Sequence, residues 1–132
     1  MRILLVDDSR LMRIMNERAL VKAGHTVITA ADGEQGLMLA REREPDVIVL
    51  DMMLPKLSGV DVLHALRKES KTATVPVLVL TSLPQMNADT LIHEGATAYF
   101  EKSLLNTEGG VSGFIQAVTD LAKSEPASAR VI

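Results

Sequence analysis

Apolar residues along the chain fall into two alternating patterns. Short, continuous, β-branched runs occur at Ile3–Val6, Val27–Ala30, Val47–Leu50 and Val77–Leu80, with a shorter one at Ala98–Phe100. Unbroken apolarity is what a strand covered on both faces requires. The segments between them carry apolar residues three and four apart. Leu11, Ile14, Met15 and Ala19 are expected to share one buried helical face, and Val111, Phe114, Ile115, Val118 and Leu121 another. A helix is also expected between Pro84 and Gly95.

Local punctuation agrees with this division. Ser9 can cap the first helix, and Asp32 with Gln35 and Ser58 with Asp61 have the spacing of capping boxes. Gly24 stands where a left-handed helix end is common. Pro45 and Pro76 stand at strand starts, where the missing N–H is tolerated. Five strand–helix units of this kind predict an α/β fold, a doubly wound parallel sheet with helices on both faces. The stretch 124–132, with Pro126 and small residues, reads as a flexible tail after a domain spanning 1–123.

Composition narrows the function classes. A chain of 132 residues, 47% hydrophobic and 23% charged, is expected to form one domain with its own core, leaving no length for a separate effector. With no cysteine there is no disulfide framework, thiol nucleophile or thiolate metal site. No apolar run approaches a membrane span or a signal-peptide core, so a cytoplasmic location without membrane insertion is expected. A net charge of −3 and 2% aromatics argue against direct binding of nucleic acid.

The candidate chemistry lies at the ends of the apolar runs. The first ends in Asp7-Asp8, the third in Asp51 and the fourth in Thr81, while Lys102 follows the fifth. Parallel strands gather their carboxyl ends on one edge, where open α/β sheets bind ligands. Three carboxylates brought together there repel unless protonated or neutralised. A hard divalent cation such as Mg²⁺ relieves this. A carboxylate alone at its strand end is free to act as a nucleophile, with the hydroxyl and the ammonium to steady a transferring phosphoryl group. The reading is metal-assisted phosphoryl transfer to Asp51.

Taken in order, Val6-Asp7-Asp8-Ser9, Asp51-Met52-Met53-Leu54-Pro55 with Gly59, Leu80-Thr81-Ser82 and Gly95-Ala96-Thr97-Ala98-Tyr99-Phe100-Glu101-Lys102 closely resemble the receiver domain of two-component response regulators. The resemblance covers Ile3 to about Lys123. It implies a stand-alone, chemotaxis-regulator-like receiver with the flavodoxin-like strand order 2-1-3-4-5. It also implies that Asp7, Asp8, Asp51 and the Met53 carbonyl hold Mg²⁺, that Asp51 is the phosphoacceptor and that Thr81 and Lys102 bind the phosphoryl group. Thr81 and Tyr99 would form the switch, and Ser82 is small, leaving access to Asp51. The implied donor is a sensor histidine kinase or a histidine phosphotransfer protein. The implied output is binding of a downstream target protein at the face of the fourth helix, fifth strand and fifth helix, with homodimerisation as a further option. The chain would catalyse only its own phosphorylation and dephosphorylation.

Two departures from the family pattern stand out: Ser103 replaces the usual proline after the lysine, and Leu104–Gly113, with Gly109, Gly110 and Gly113, reads as a longer, looser loop. Six of the seven methionines, Met12, Met15, Met38, Met52, Met53 and Met86, read as gap-filling packing. His25, His64 and His93 have no ligand spacing and read as surface or rim residues.

Other readings fit less well. An aspartyl-phosphate phosphohydrolase commonly needs a second acid two residues after its nucleophile, where this chain has Met53. A flavodoxin-type cofactor site would meet repulsion from Asp7-Asp8. A receiver-like module that binds partners without phosphorylation stays open, given Ser103.

Overall fold

The computed structural model describes residues 1–82 and 88–123. In chain order these form β1 (Arg2–Val6), α1 (Arg10–Lys22), β2 (Thr26–Ala30), α2 (Gly33–Arg43), β3 (Val47–Asp51), α3 (Gly59–Lys68), β4 (Val77–Thr81), α4 (Ala88–His93), β5 (Ala98–Glu101), a 3-10 helix (Lys102–Asn106) and α5 (Gly110–Lys123). All neighbouring strands are parallel, in the order β2-β1-β3-β4-β5. Each expected apolar run is a strand, extended by at most one residue at either end.

The period of two along each strand divides the core into two layers. Leu4, Val6, Ile48, Leu50, Val77 and Val79 face α2, α3 and α4, meeting Leu37, Leu63, Leu66 and Leu91. Ile3, Leu5, Val47, Val49, Leu78 and Leu80 face α1 and α5, meeting Leu20, Phe114 and Val118. Phe100 of β5 meets Phe114 of α5 edge to face, with ring centroids 5.8 Å apart.

The caps form as their spacing predicts. Ser9 accepts from the Met12 amide, Asp32 from the Gln35 amide at 2.8 Å, and Ser58 from the Asp61 amide at 3.2 Å. Gln35 Oε1 in turn accepts at 2.8 Å from the N–H of Ala31, the residue before the cap. Gly24 follows α1 at φ 100°.

Three expectations are corrected. The buried face of α1 is Asn16 and Leu20 with Met12 packed beside them, whereas Leu11 and Met15 are 68% and 56% exposed. Apolar residues lie almost all round α1, so their period cannot choose a face. The docked helix turns Asn16 and Leu20 inward, and in that position Arg13 Nη1 donates to the Asp7 carbonyl at 2.9 Å. The methionines are not uniformly packing residues: Met52 is buried, but Met15, Met38 and Met53 are exposed.

The third correction concerns Leu104–Gly113, which is not a loose loop. The 3-10 helix continues directly from β5, Leu105 is buried, and the Thr107 hydroxyl donates to the Leu104 carbonyl at 2.6 Å. α5 already starts at Gly110, where a Cβ would stand 1.6 Å from the Leu104 carbonyl oxygen. The glycine thus serves close backbone approach rather than flexibility. Leu83, Pro84 and Met86, the start of the helix expected from Pro84, and the tail 124–132 lie outside the described residues. No peptide bond is cis, and no helix is long and apolar enough to cross a membrane, among the described residues.

Candidate phosphoryl and cation site

Register explains why separated acids meet. Val6 pairs with Leu50, so the next residues, Asp7 and Asp51, emerge side by side at the ends of adjacent central strands. Asp51 is level with Leu80 and Thr81 with Glu101, which sets Thr81 and Lys102 on the same edge. One carboxylate oxygen from each of Asp7, Asp8 and Asp51 lies within 4.8 Å of the others. Lys102 Nζ stands 2.8 Å from Asp51 Oδ1, so the lysine reaches the cluster although Ser103 follows it.

Each acid is held differently. Asp51 is 1% exposed, and its Oδ1 also accepts from the Met53 amide at 3.0 Å. Asp7 is fully buried; its amide donates to the Ala30 carbonyl at 3.0 Å and its Oδ1 accepts from the Ser9 amide at 2.9 Å. Asp7 Oδ2 is buried with no hydrogen-bond partner among the described residues. Asp8 is exposed at the rim.

Burial pushes the Asp7 carboxyl up to about 6. The Ser9 amide and Lys102 pull it down, whereas the neighbouring Asp51 carboxylate raises it further. An orphaned buried oxygen inside an all-oxygen acid cluster suits a hard cation, which would take Asp7, Asp8 and Asp51 as ligands. The Met53 carbonyl belongs to the loop that follows Asp51 directly.

Other parts of the expected site are placed as follows. Thr81 is buried at the end of β4, with exposed Ser82 beyond it. Tyr99 is 42% exposed on β5. Gly59 lets α3 start against β3: a Cβ there would come 2.7 Å from the Met52 Cα, immediately behind Asp51. His25 meets Thr119 Oγ1 at 3.1 Å, His64 pairs with Glu94, and His93 is exposed; none of them joins the acid cluster.

Sequence reasoning missed Arg13. Its only signal was a basic residue one turn into the helix that follows the acid pair. Whether such a residue faces the acids or solvent is decided by how the helix docks.

The chain matches the family model described as response regulator receiver domain over residues 3–108. The DNA-binding dual master transcriptional regulator RpaA of Synechocystis is 44% identical over 85 residues, covering 64% of this chain and 35% of that protein. The probable transcriptional regulatory protein TcrX of Mycobacterium tuberculosis is 46% identical over 80 residues, covering 61% of this chain and 33% of that protein. The match thus spans about a third of the length of these curated relatives. Among solved structures, the receiver domain of the sensor histidine kinase PA1611 from Pseudomonas aeruginosa superposes with a TM-score of 0.82 at 25% identity, covering 93% of this chain and 98% of that one. That structure has a magnesium ion coordinated in its active-site cleft. A likeness that runs through the sequence from residue 3 to 108 and through the described fold has one conclusion: this chain belongs to the response regulator receiver domain family.

Proposed function

We propose that the chain accepts a phosphoryl group on Asp51 from a phosphohistidine of a sensor histidine kinase or a histidine phosphotransfer protein. The observation that carries this is the Lys102 ammonium 2.8 Å from Asp51, beside two further carboxylates. A carboxylate oxygen of Asp51 attacks phosphorus as the P–N bond breaks, and the imidazole leaves with the bonding pair. Lys102 offsets the charge at Asp51 and, with the Thr81 hydroxyl, binds the oxygens of the phosphoryl group. A Mg²⁺ ion held by Asp7, Asp8, Asp51 and the Met53 carbonyl would supply the remaining positive charge. Water then returns the acyl phosphate to Asp51 and inorganic phosphate, so the chain acts on no substrate but itself.

The output is a change of surface. The phosphoryl group adds roughly two negative charges at the edge of the sheet. Thr81 moves toward it, and Tyr99, now exposed, turns into the space vacated. A downstream protein would read the altered face of α4, β5 and α5. A stand-alone cytoplasmic receiver is the form in which this surface alone carries the signal.

Incubation with acetyl phosphate and Mg²⁺ tests the assignment. Wild type is expected to gain one hydroxylamine-sensitive phosphoryl group by intact-mass analysis, and Asp51→Asn none. Retained label on the variant overturns Asp51 as acceptor.

A further inference from the structure

Among the described residues, Arg13 is a partly buried guanidinium that pairs with no carboxylate, although three stand at the same edge of the sheet. Instead Nη1 donates to the Asp7 main-chain carbonyl at 2.9 Å. That carbonyl is the first beyond β1, where the ladder no longer supplies a partner. The Asp7 residue is therefore held on every side but one. Its N–H is bound to Ala30, its carbonyl to Arg13 and its Oδ1 to the amide of Ser9, the residue that caps α1. Among the described residues, only Oδ2 finds no partner.

We infer that Arg13 is a positioning residue for the cation site, holding the Asp7–Asp8 turn by the Asp7 carbonyl so that Asp8 keeps its place beside Asp7 and Asp51. The inference rests on reading the acid cluster as a divalent-cation site. Asp8 is the exposed member of the cluster, and no hydrogen bond of its side chain holds it among the described residues. Its carboxylate stays within reach of the other two through the backbone that carries it. Rotation of the Asp7–Asp8 peptide would swing Asp8 away while leaving the deeper acids in place. Arg13 blocks that rotation from a rigid helix. Fixing a ligand's backbone in advance removes an ordering cost from ion binding, as outer-shell partners commonly do.

The test is a titration of the full chain with MgCl₂, followed by NMR at the backbone amides of Asp8 and Met53, with urea midpoints measured in EDTA. Arg13→Met keeps most of the aliphatic bulk and is expected to weaken Mg²⁺ about tenfold, with little change in the midpoint. Arg13→Lys, which can still donate to the carbonyl, is expected to recover part of the affinity. Should the Met variant lose its fold, Arg13→Lys and Arg13→Gln carry the test, judged by the same affinity at unchanged midpoint. Wild-type affinity in the Arg13 variants, with Asp8→Asn weakened, overturns the role of Arg13 and leaves the cation site standing. No saturable response in wild type removes the site itself, and the inference with it.

Discussion

Two charged groups lie in the interior at opposite ends of the sheet, and the protein treats them differently. Arg67, near the end of α3, spreads its guanidinium over neutral acceptors: the carbonyls of Gly95 at 2.9 Å, Thr72 at 3.1 Å, Ala73 at 3.2 Å and Val75 at 2.8 Å, with Thr97 Oγ1 at 3.5 Å. Thr97 Oγ1 also accepts from the Val77 amide at 3.0 Å, so the same cluster secures the start of β4 beside β5. Asp7, at the other end, keeps a buried oxygen with no partner and two further carboxylates close by. Burial works against the charge in both, pushing Arg67 down and Asp7 up. The lesson is in the satisfaction rather than the burial. A buried charge whose hydrogen bonds are all met holds the fold together, whereas one left wanting at a ligand edge is ready for an incoming ion.

The largest effect expected from breaking this contrast is at the satisfied end. Arg67→Met leaves several partly buried carbonyls without donors and should cost about 3 kcal/mol of stability by urea unfolding. Mg²⁺ affinity should stay within twofold of wild type if the two ends are independent. A large loss of affinity would show that they are coupled.

Asp7→Asn should act in the opposite direction. The carboxyl shifts from 3.8 to about 6 on folding, so the unfolded chain gives up this proton at lower pH than the folded one. Its stabilising contribution is present below 3.8 and lost as pH rises through about 6. At pH 7 in EDTA the ionised acid therefore strains the fold, and Asp7→Asn should gain roughly 1–3 kcal/mol. The difference in urea midpoint between variant and wild type should shrink as pH is lowered toward 4. Added Mg²⁺ should stabilise wild type and leave the variant nearly unchanged. An Asp7→Asn variant less stable than wild type at pH 7 would contradict this account of the cluster.

A third buried group gives the smallest expected effect. The Thr119 hydroxyl donates to the Ile115 carbonyl at 2.8 Å, so its oxygen accepts from His25 Nε2–H, and Nδ1 is left buried without a partner. Burial, together with the positive N-terminus and Lys123, lowers this imidazole from its ordinary 6.5. The unfolded chain takes up the proton first, so stability should fall as pH drops through about 6.5. His25→Gln should flatten that part of the pH profile of the urea midpoint. An unchanged profile would show that His25 is not its source.

Much of this molecule was legible before folding was considered. Five apolar runs, each long enough for one strand, specified the sheet, and the polar residues closing the first, third and fourth announced the edge where chemistry would gather. These signals are local: a central strand buried on both faces must be apolar throughout, and a helix start must satisfy its free amides. Gly110 shows where local reading stops. It looked like a marker of looseness, yet it marks a close approach to the Leu104 carbonyl, a contact that exists only once the 3-10 helix has packed through Leu105.

The residues of the site were determined by the sequence; their arrangement was decided by tertiary structure. Asp7 and Asp51 are 44 positions apart, and only the Val6–Leu50 register sets them side by side. Lys102 reaches Asp51 because β5 lies next to β4 and ends one residue before it. The face that α1 buries, and with it the reach of Arg13 to the Asp7 carbonyl, is set by how the helix docks on the sheet, because apolar residues surround that helix. Periodicity reports what a segment must hide from water. Which partner it meets there, and whether a buried charge finds its hydrogen bonds, is set by the packing of elements distant in the chain.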